Sequence, residues 1–203
     1  MKTRMALLRP DYLALFLLLL SLRLIDLYVT YRITPNLAHE WNPLVSKLAF
    51  SWASFLVVQF LLVLVALVGY QRYSSRIRCP VSQPGPGLVS FVYYYFNGTR
   101  PTPRHWTRAF FKMPDKRYLK VSGAFIGFVV FMSFILASVF AITHNLLILL
   151  KVGHYMDFVV QHSSTYMVSV YVSLVVISAN TFFLIEFFKY KRLSKVAAVS
   201  TKA

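Results

Sequence analysis

The chain has 203 residues, of which 58% are hydrophobic and 14% charged, whereas a soluble domain is about 45–50% apolar and about 25% charged. This composition argues against a soluble domain. The net charge of +16 would favour a nucleic-acid partner for a soluble protein, so the basic residues must first be placed relative to a membrane. The single cysteine, Cys79, excludes an internal disulfide framework, a cysteine-based zinc site and a cysteine-ligated iron–sulfur cluster.

Four apolar stretches are long enough to cross a bilayer, since about 20 helical residues span a hydrocarbon core of about 30 Å. They are residues 11–31, 44–70, 121–150 and 164–188. Each is predicted to be a helix, because the hydrocarbon has no water to satisfy an exposed backbone. The sequence therefore predicts an all-α fold, an integral membrane four-helix bundle forming one membrane domain over residues 1–203.

The first helix begins as a signal peptide would, with Lys2, Arg4 and Arg9 before an apolar run. However, the run contains Arg23 and Asp26, no small-x-small cleavage site follows it, and three more spans come after it. We therefore expect the first helix to be retained.

Arg23, Asp26 and Thr30 are spaced to share one face of the first helix. Ionisable groups inside a span are costly and are candidates for function. Two interpretations are open: an ion pair that fixes helix packing, or a site that binds or transfers something.

The end of this helix and the turn after it contain the pattern D-x3-T followed by E-x-N-P, from Asp26 to Pro43. It resembles a group of small bacterial multi-pass membrane proteins of unknown function, over the first 70 residues. The resemblance directs attention to Asp26, Thr30, Glu40, Asn42 and Pro43 but implies no activity. The same residues also suit a structural role, because Asn42 is a good N-cap and Pro43 a good first residue for the second helix.

The segment 71–120 is predicted to be a long basic and aromatic loop. Residues 79–87 contain three prolines and two glycines and should be irregular. From Leu88 onward, aromatic rings alternate with Lys and Arg, as is typical of the lipid headgroup layer. The loop is either an interfacial anchor or a docking surface for a partner subunit. The residues expected to contact lipid or partner are Arg104, Trp106, Arg108, Phe110 and Phe111.

The last two helices carry small residues at four-residue spacing, which lets helix backbones approach closely. We predict that these helices pack together as a hairpin through such faces. The residues concerned include Gly123, Gly127, Ala137, Ser169 and Ser173.

Histidines and carboxylates concentrate in or near the two short loops on the other side of the membrane from segment 71–120. Such groups bind Zn, Mn or Fe and perform acid–base catalysis, although no H-E-x-x-H or other tight ligand spacing occurs. The candidates for a divalent metal are His39, Glu40, His154, Asp157 and His162. The candidates for catalysis are Asp26, His39 and Glu40. The alternative is that loops simply collect polar residues.

His144 and Asn145 lie in the outer part of the third predicted helix. His144 is a candidate cofactor ligand, for a haem or a chlorophyll-type pigment. A bis-histidine haem would need a second histidine at similar depth on another helix, and none is present. A helix-to-helix hydrogen bond is the favoured interpretation.

Eighteen of the 22 Lys and Arg residues lie in the N-terminus, segment 71–120 or the C-terminal tail. The positive-inside rule then predicts that both termini and this segment are cytoplasmic, in a bacterial inner membrane. Topology and anionic lipid headgroups explain the high charge, and no nucleic-acid partner is expected.

The leading hypothesis is a non-enzymatic integral membrane subunit or scaffold of a larger membrane protein assembly, with partner subunits and no firmly implied cofactor. The alternative is a membrane-embedded enzyme or metal-binding protein with an outer-face histidine and carboxylate site. A small transporter is the third hypothesis, although no broken helices or inverted repeat are evident.

Overall fold

The computed structural model describes residues 10–37, 51–74, 87–97 and 116–200. Within these ranges all regular structure is helical: α1 is Pro10–Ile33, α2 is Trp52–Ser74, α3 is Leu88–Asn97, α4 is Lys116–Leu149 and α5 is Gly153–Ser200. Four of these helices, α1, α2, α4 and α5, contain stretches long and apolar enough to cross a membrane. The predicted all-helical fold with four apolar spans is confirmed, and it is that of an integral, multi-pass membrane protein.

The helix ends differ from the predicted ones. α4 begins at Lys116 rather than at residue 121, and α5 runs from Gly153 to Ser200 rather than over 164–188. Hydropathy marks only the part of a helix that suits hydrocarbon, whereas a helix can continue into polar surroundings at either end. The predicted start of the second helix at residues 44–50 lies outside the described residues, as do Asn42 and Pro43.

Part of the predicted loop 71–120 is helical. α3 has ten residues, so it is about 15 Å long and too short to cross a bilayer. Phe91, Tyr93, Tyr94 and Tyr95 are all buried. Consecutive buried rings point to different sides of a helix, so α3 is a core element rather than a strip lying on a surface. Arg104, Trp106, Arg108, Phe110 and Phe111 lie outside the described residues.

The chain forms two compact units. The first unit contains residues 1–68 and 130–175, and the second contains residues 69–129 and 176–203. In the first unit, α1 and α2 meet near the turn that follows α1. There the Trp52 indole N–H donates to the carbonyl of Pro35 at 2.7 Å, and Leu37 packs against Phe55.

The core of the second unit is aromatic. Phe91 of α3 lies 5.5 Å from Phe187 of α5, between ring centroids, and Tyr95 lies 5.6 Å from Phe182. Phe182 has no solvent exposure and also contacts Phe125 of α4 at 5.1 Å. Aromatic rings at these separations and tilts contribute beyond the area that they bury. They join α3, α4 and α5.

In the second unit, α2 and α4 pack closely at Gly69 and Gly127. A Cβ atom added to Gly69 would lie 2.6 Å from the carbonyl oxygen of Gly127. A Cβ atom on Gly127 would in turn clash with the carbonyl oxygen of Gly69. Side-chain carbons do not approach backbone oxygens this closely, so glycine is required at both positions for this helix contact.

The prediction that small residues join the last two helices is therefore corrected. Gly127 faces α2, and a Cβ on Gly123 would meet no atom within 4 Å. Ser169 and Ser173 are exposed, and Ala137 is half-buried. α4 and α5 do contact each other, but large rings fill the space between them, as in the stacked pair Phe125 and Phe183. Small-residue spacing indicates a close approach without indicating which neighbour makes it.

Candidate functional site

The first unit contains a buried polar cluster within the apolar span of α1. Arg23, Asp26 and Thr30 have 9%, 7% and 5% of their surface exposed. Their three- and four-residue spacing puts them on one side of α1, as the sequence predicts. Most other side chains near them on α1 are leucine, isoleucine or valine, so these three define the polar side of the helix.

Arg23 and Asp26 form an ion pair. The Arg23 Nη1 atom donates to Asp26 Oδ2 at 3.1 Å, and each side chain is 11% exposed. The guanidinium also lies over the Phe134 ring of α4, 4.2 Å from its centroid. A carboxylate and the negative face of a ring thus both stabilise this buried cation.

Asn145 of α4 completes the cluster. Its Nδ2 atom donates to Asp26 Oδ1 at 3.1 Å and to Thr30 Oγ1 at 3.0 Å. Both carboxylate oxygens of Asp26 therefore accept a hydrogen bond, one from α1 and one from α4. Within the described part of the chain, Arg23 Nε has no hydrogen-bond partner. The cluster joins α1 to α4 through polar contacts.

The sequence places Asn145 inside an apolar helix, where a carboxamide is expected to form a hydrogen bond between membrane helices. It does not assign Asn145 to this cluster. Spacing along one helix could not pair it with Asp26, because the two residues lie 119 positions apart.

Replacing Asn145 with leucine should destabilise the first unit by about 1–3 kcal/mol, because Asp26 Oδ1 and Thr30 Oγ1 would lose a donor away from water. The measurement is thermal unfolding of the purified protein in detergent. Thr143→Ala is the matched control, because Thr143 is exposed on the same helix and its hydroxyl bonds its own helix backbone. Equal melting temperatures for the two variants would contradict this assignment.

His144 takes part in a second polar contact in the first unit. Its Nδ1 atom and the Tyr155 hydroxyl are hydrogen-bonded, joining α4 to the first turn of α5. The imidazole also stacks on Phe140, with 5.8 Å between ring centroids. The predicted cofactor candidate thus has one ring nitrogen engaged in a contact between helices.

Tyr155 lies before the apolar span of α5. Burial, together with a hydrogen bond to Tyr166, raises the pKa of the Tyr155 phenol above its ordinary value of about 10. Because folding favours the protonated phenol, its contribution to stability is complete below about pH 10 and is lost as the pH rises through the raised pKa.

Tyr155→Phe should therefore flatten the alkaline side of the stability profile. Between about pH 9 and 11, the melting temperature of the wild-type protein should fall more steeply than that of the variant, since phenylalanine has no proton to lose. If the melting temperatures of the two proteins fell in parallel with pH, the stabilising contribution of the protonated Tyr155 phenol would be contradicted.

The predicted metal candidates are only partly described. His154 and Asp157 are exposed in the first turns of α5, three residues apart, where the sequence predicts a loop. His39, Glu40 and the side chain of His162 lie outside the described residues. Among the residues that the structure describes, no group of three or more His, Cys, Asp or Glu side chains could hold a metal ion.

The second unit contains a buried carboxylate, Glu186. Glu186 is 7% exposed, and its Oε1 atom accepts from the Tyr73 hydroxyl and from Lys189 Nζ, each at 3.3 Å. Lys189 Nζ also donates to the Tyr73 hydroxyl at 3.1 Å, and its side chain is half-exposed. This buried carboxylate therefore joins α5 to the end of α2.

Comparison with known proteins finds no matching protein family, no matching curated protein and no matching solved structure.

Proposed function

We propose that this protein is a non-enzymatic integral membrane subunit or scaffold of a larger membrane protein assembly. The observation that carries the proposal is that the buried charged groups and the buried histidine described in its spans are bonded to other side chains of the chain. Asp26 is bonded to Arg23 and Asn145, His144 to Tyr155, and Glu186 and Lys189 to each other. Asp26, His144 and Glu186 each share a hydrogen bond with a neighbouring helix, so these contacts suit a structural role.

The exposure of α5 supports a role as a subunit. In the most apolar stretch of its span 11% of the residues are buried, against 22% to 28% for the other three spans. In the first unit, Ser169 and Ser173 lie on the exposed side of this helix. Small residues on an exposed side allow another helix to approach, so this part of α5 suits a partner subunit.

We further propose that the membrane is a bacterial inner membrane, with both termini and segment 71–120 in the cytoplasm. The distribution of Lys and Arg supports this orientation. The basic residues of these regions would face anionic lipid headgroups.

The single cysteine tests the orientation without any substitution. Cys79 should react with a membrane-impermeant maleimide in inside-out vesicles and should be protected in intact spheroplasts. In a Cys79→Ser background, Val152→Cys should give the reverse pattern, since Val152 is an exposed residue in the turn between α4 and α5. Labelling of Cys79 in spheroplasts would overturn the proposed topology.

The function itself is tested with two variants. Replacing His39, Glu40 and His154 together with alanine should leave the co-purifying proteins and the bound metal content unchanged. Ser173→Trp should reduce recovery of the partner subunits, because an exposed small residue becomes bulky while the interior of the unit is untouched. Loss of a stoichiometric metal from the triple variant would overturn the proposal in favour of a metal-binding protein.

A further inference from the structure

In the second unit, α5 exposes a carboxamide to the surroundings of an apolar span. Asn180 is exposed and lies near the middle of the span Tyr166–Arg192. Val176, one turn before it, is 52% exposed, and Leu184, one turn after it, is 45% exposed. These three residues follow the i, i+4, i+8 spacing and therefore form one line along the helix, which we call the Asn180 face.

The hydrogen bonds of Asn180 are incompletely satisfied by its own helix. Its Nδ2 atom donates to the Val176 carbonyl at 2.9 Å. A carboxamide has two N–H donors and one acceptor oxygen, so a donor and the oxygen are left over within the described part of the chain. Hydrocarbon offers no partner to either, which makes exposure to lipid tails unfavourable.

A partner for this face must supply a donor and an acceptor at the same depth. A second copy of the chain does so automatically, since all copies insert in one orientation and a two-fold axis along the membrane normal brings each residue to its own counterpart. The partial charges of a carboxamide are complementary to those of a second carboxamide, and no net charge needs compensation. A single asparagine in a helix–helix seam is also a known means of fixing register.

The rest of the face is compatible with such a pair. Val176 and Leu184 would pack against their counterparts on either side of the amide pair. The nearest charged residue on the same side of α5 is Lys191, which is about 16 Å further along the axis. Its ammonium lies over the Phe187 ring of its own helix, 4.8 Å from the centroid.

We propose that the Asn180 face is a self-association surface, on which α5 pairs in parallel with α5 of a second copy and the two Asn180 carboxamides bind each other. The proposal concerns contact between identical chains. It does not depend on whether foreign subunits are also bound.

The test is cysteine cross-linking of the full chain in its native membranes, in a Cys79→Ser background. Val176→Cys and Leu184→Cys should each give an oxidised dimer in several-fold higher yield than Ile126→Cys. Ile126 is the matched control because it is 57% exposed in the span of α4 within the same unit. Yields no higher than that of the control would overturn the proposal.

The role of the carboxamide is tested by adding Asn180→Leu to the Val176→Cys chain. The apparent dissociation constant of the dimer in detergent should rise about tenfold, in line with interhelical hydrogen bonds in membranes. An unchanged constant would overturn the Asn180 contact. A lower melting temperature of the monomer that carries Asn180→Leu would indicate a folding defect. In that case the proposal is decided by the cross-linking yields of Val176→Cys and Leu184→Cys relative to that of Ile126→Cys.

The two proposals fail separately. Cross-linked dimers without any foreign subunit would support self-association and contradict the scaffold function. Foreign subunits without cross-linking at Val176 or Leu184 would support the scaffold function and contradict self-association.

Discussion

Replacing Asp26 with alanine should destabilise the first unit by about 3–5 kcal/mol, because the charge of Arg23 would be left buried without its counter-ion. The same change removes the acceptor of the Asn145 amide, so a second buried group loses its partner. A loss of this size is a large fraction of the stability of an ordinary domain. We therefore expect low yields of folded Asp26→Ala protein, with unfolding measured by heat or denaturant in detergent.

The double variant Arg23→Met/Asp26→Leu removes the whole ion pair, whereas Asp26→Ala removes only one partner and leaves the other charged. Removing both charges leaves no unpaired ion, and apolar side chains of similar volume often replace a buried pair with little loss. This variant should therefore be more stable than Asp26→Ala. Leu24→Ala is the control, because Leu24 is 55% exposed on the same helix. If Asp26→Ala has the same melting temperature as Leu24→Ala, the polar cluster does not stabilise the unit.

Gly127→Ala should destabilise the second unit by about 1–3 kcal/mol, the usual range for overpacking, because a methyl group would meet the Gly69 backbone and force α2 and α4 apart. Gly69→Ala should have an effect of the same sign, since its Cβ would lie 2.6 Å from the Gly127 oxygen. Thermal unfolding in detergent measures both effects.

Gly123→Ala provides a control of opposite sign, one helical turn away. A Cβ at Gly123 meets nothing within 4 Å, so the substitution adds helix propensity without a clash and should stabilise α4 by up to about 1 kcal/mol. If Gly127→Ala and Gly123→Ala behaved alike, the close contact at Gly69 and Gly127 would be contradicted.

The features of this structure that are determined within one continuous segment could be predicted from the sequence. Length and hydropathy identify the four apolar spans, and the spacing of Arg23 and Asp26 identifies an ion pair on one helix. Hydropathy did not indicate α3, because a ten-residue apolar helix is too short to give a membrane signal. It also missed the helical turns that begin α5, because polar residues such as His154 and Asp157 lower the hydropathy there.

The contacts between segments distant in sequence could not be predicted. Nothing in the chain order pairs Asn145 with Asp26, or Gly127 with Gly69. A small residue or an amide in an apolar helix indicates that some neighbour approaches. Which neighbour it is depends on how the helices pack, and the sequence of a single segment does not specify that.

The scaffold function is tested most directly by the mass and composition of the particle extracted from native membranes in mild detergent. The account predicts a particle much heavier than the 23.4 kDa chain, with foreign membrane subunits present in fixed stoichiometry. A particle that contains this chain alone, as a monomer or a homo-oligomer, would contradict it.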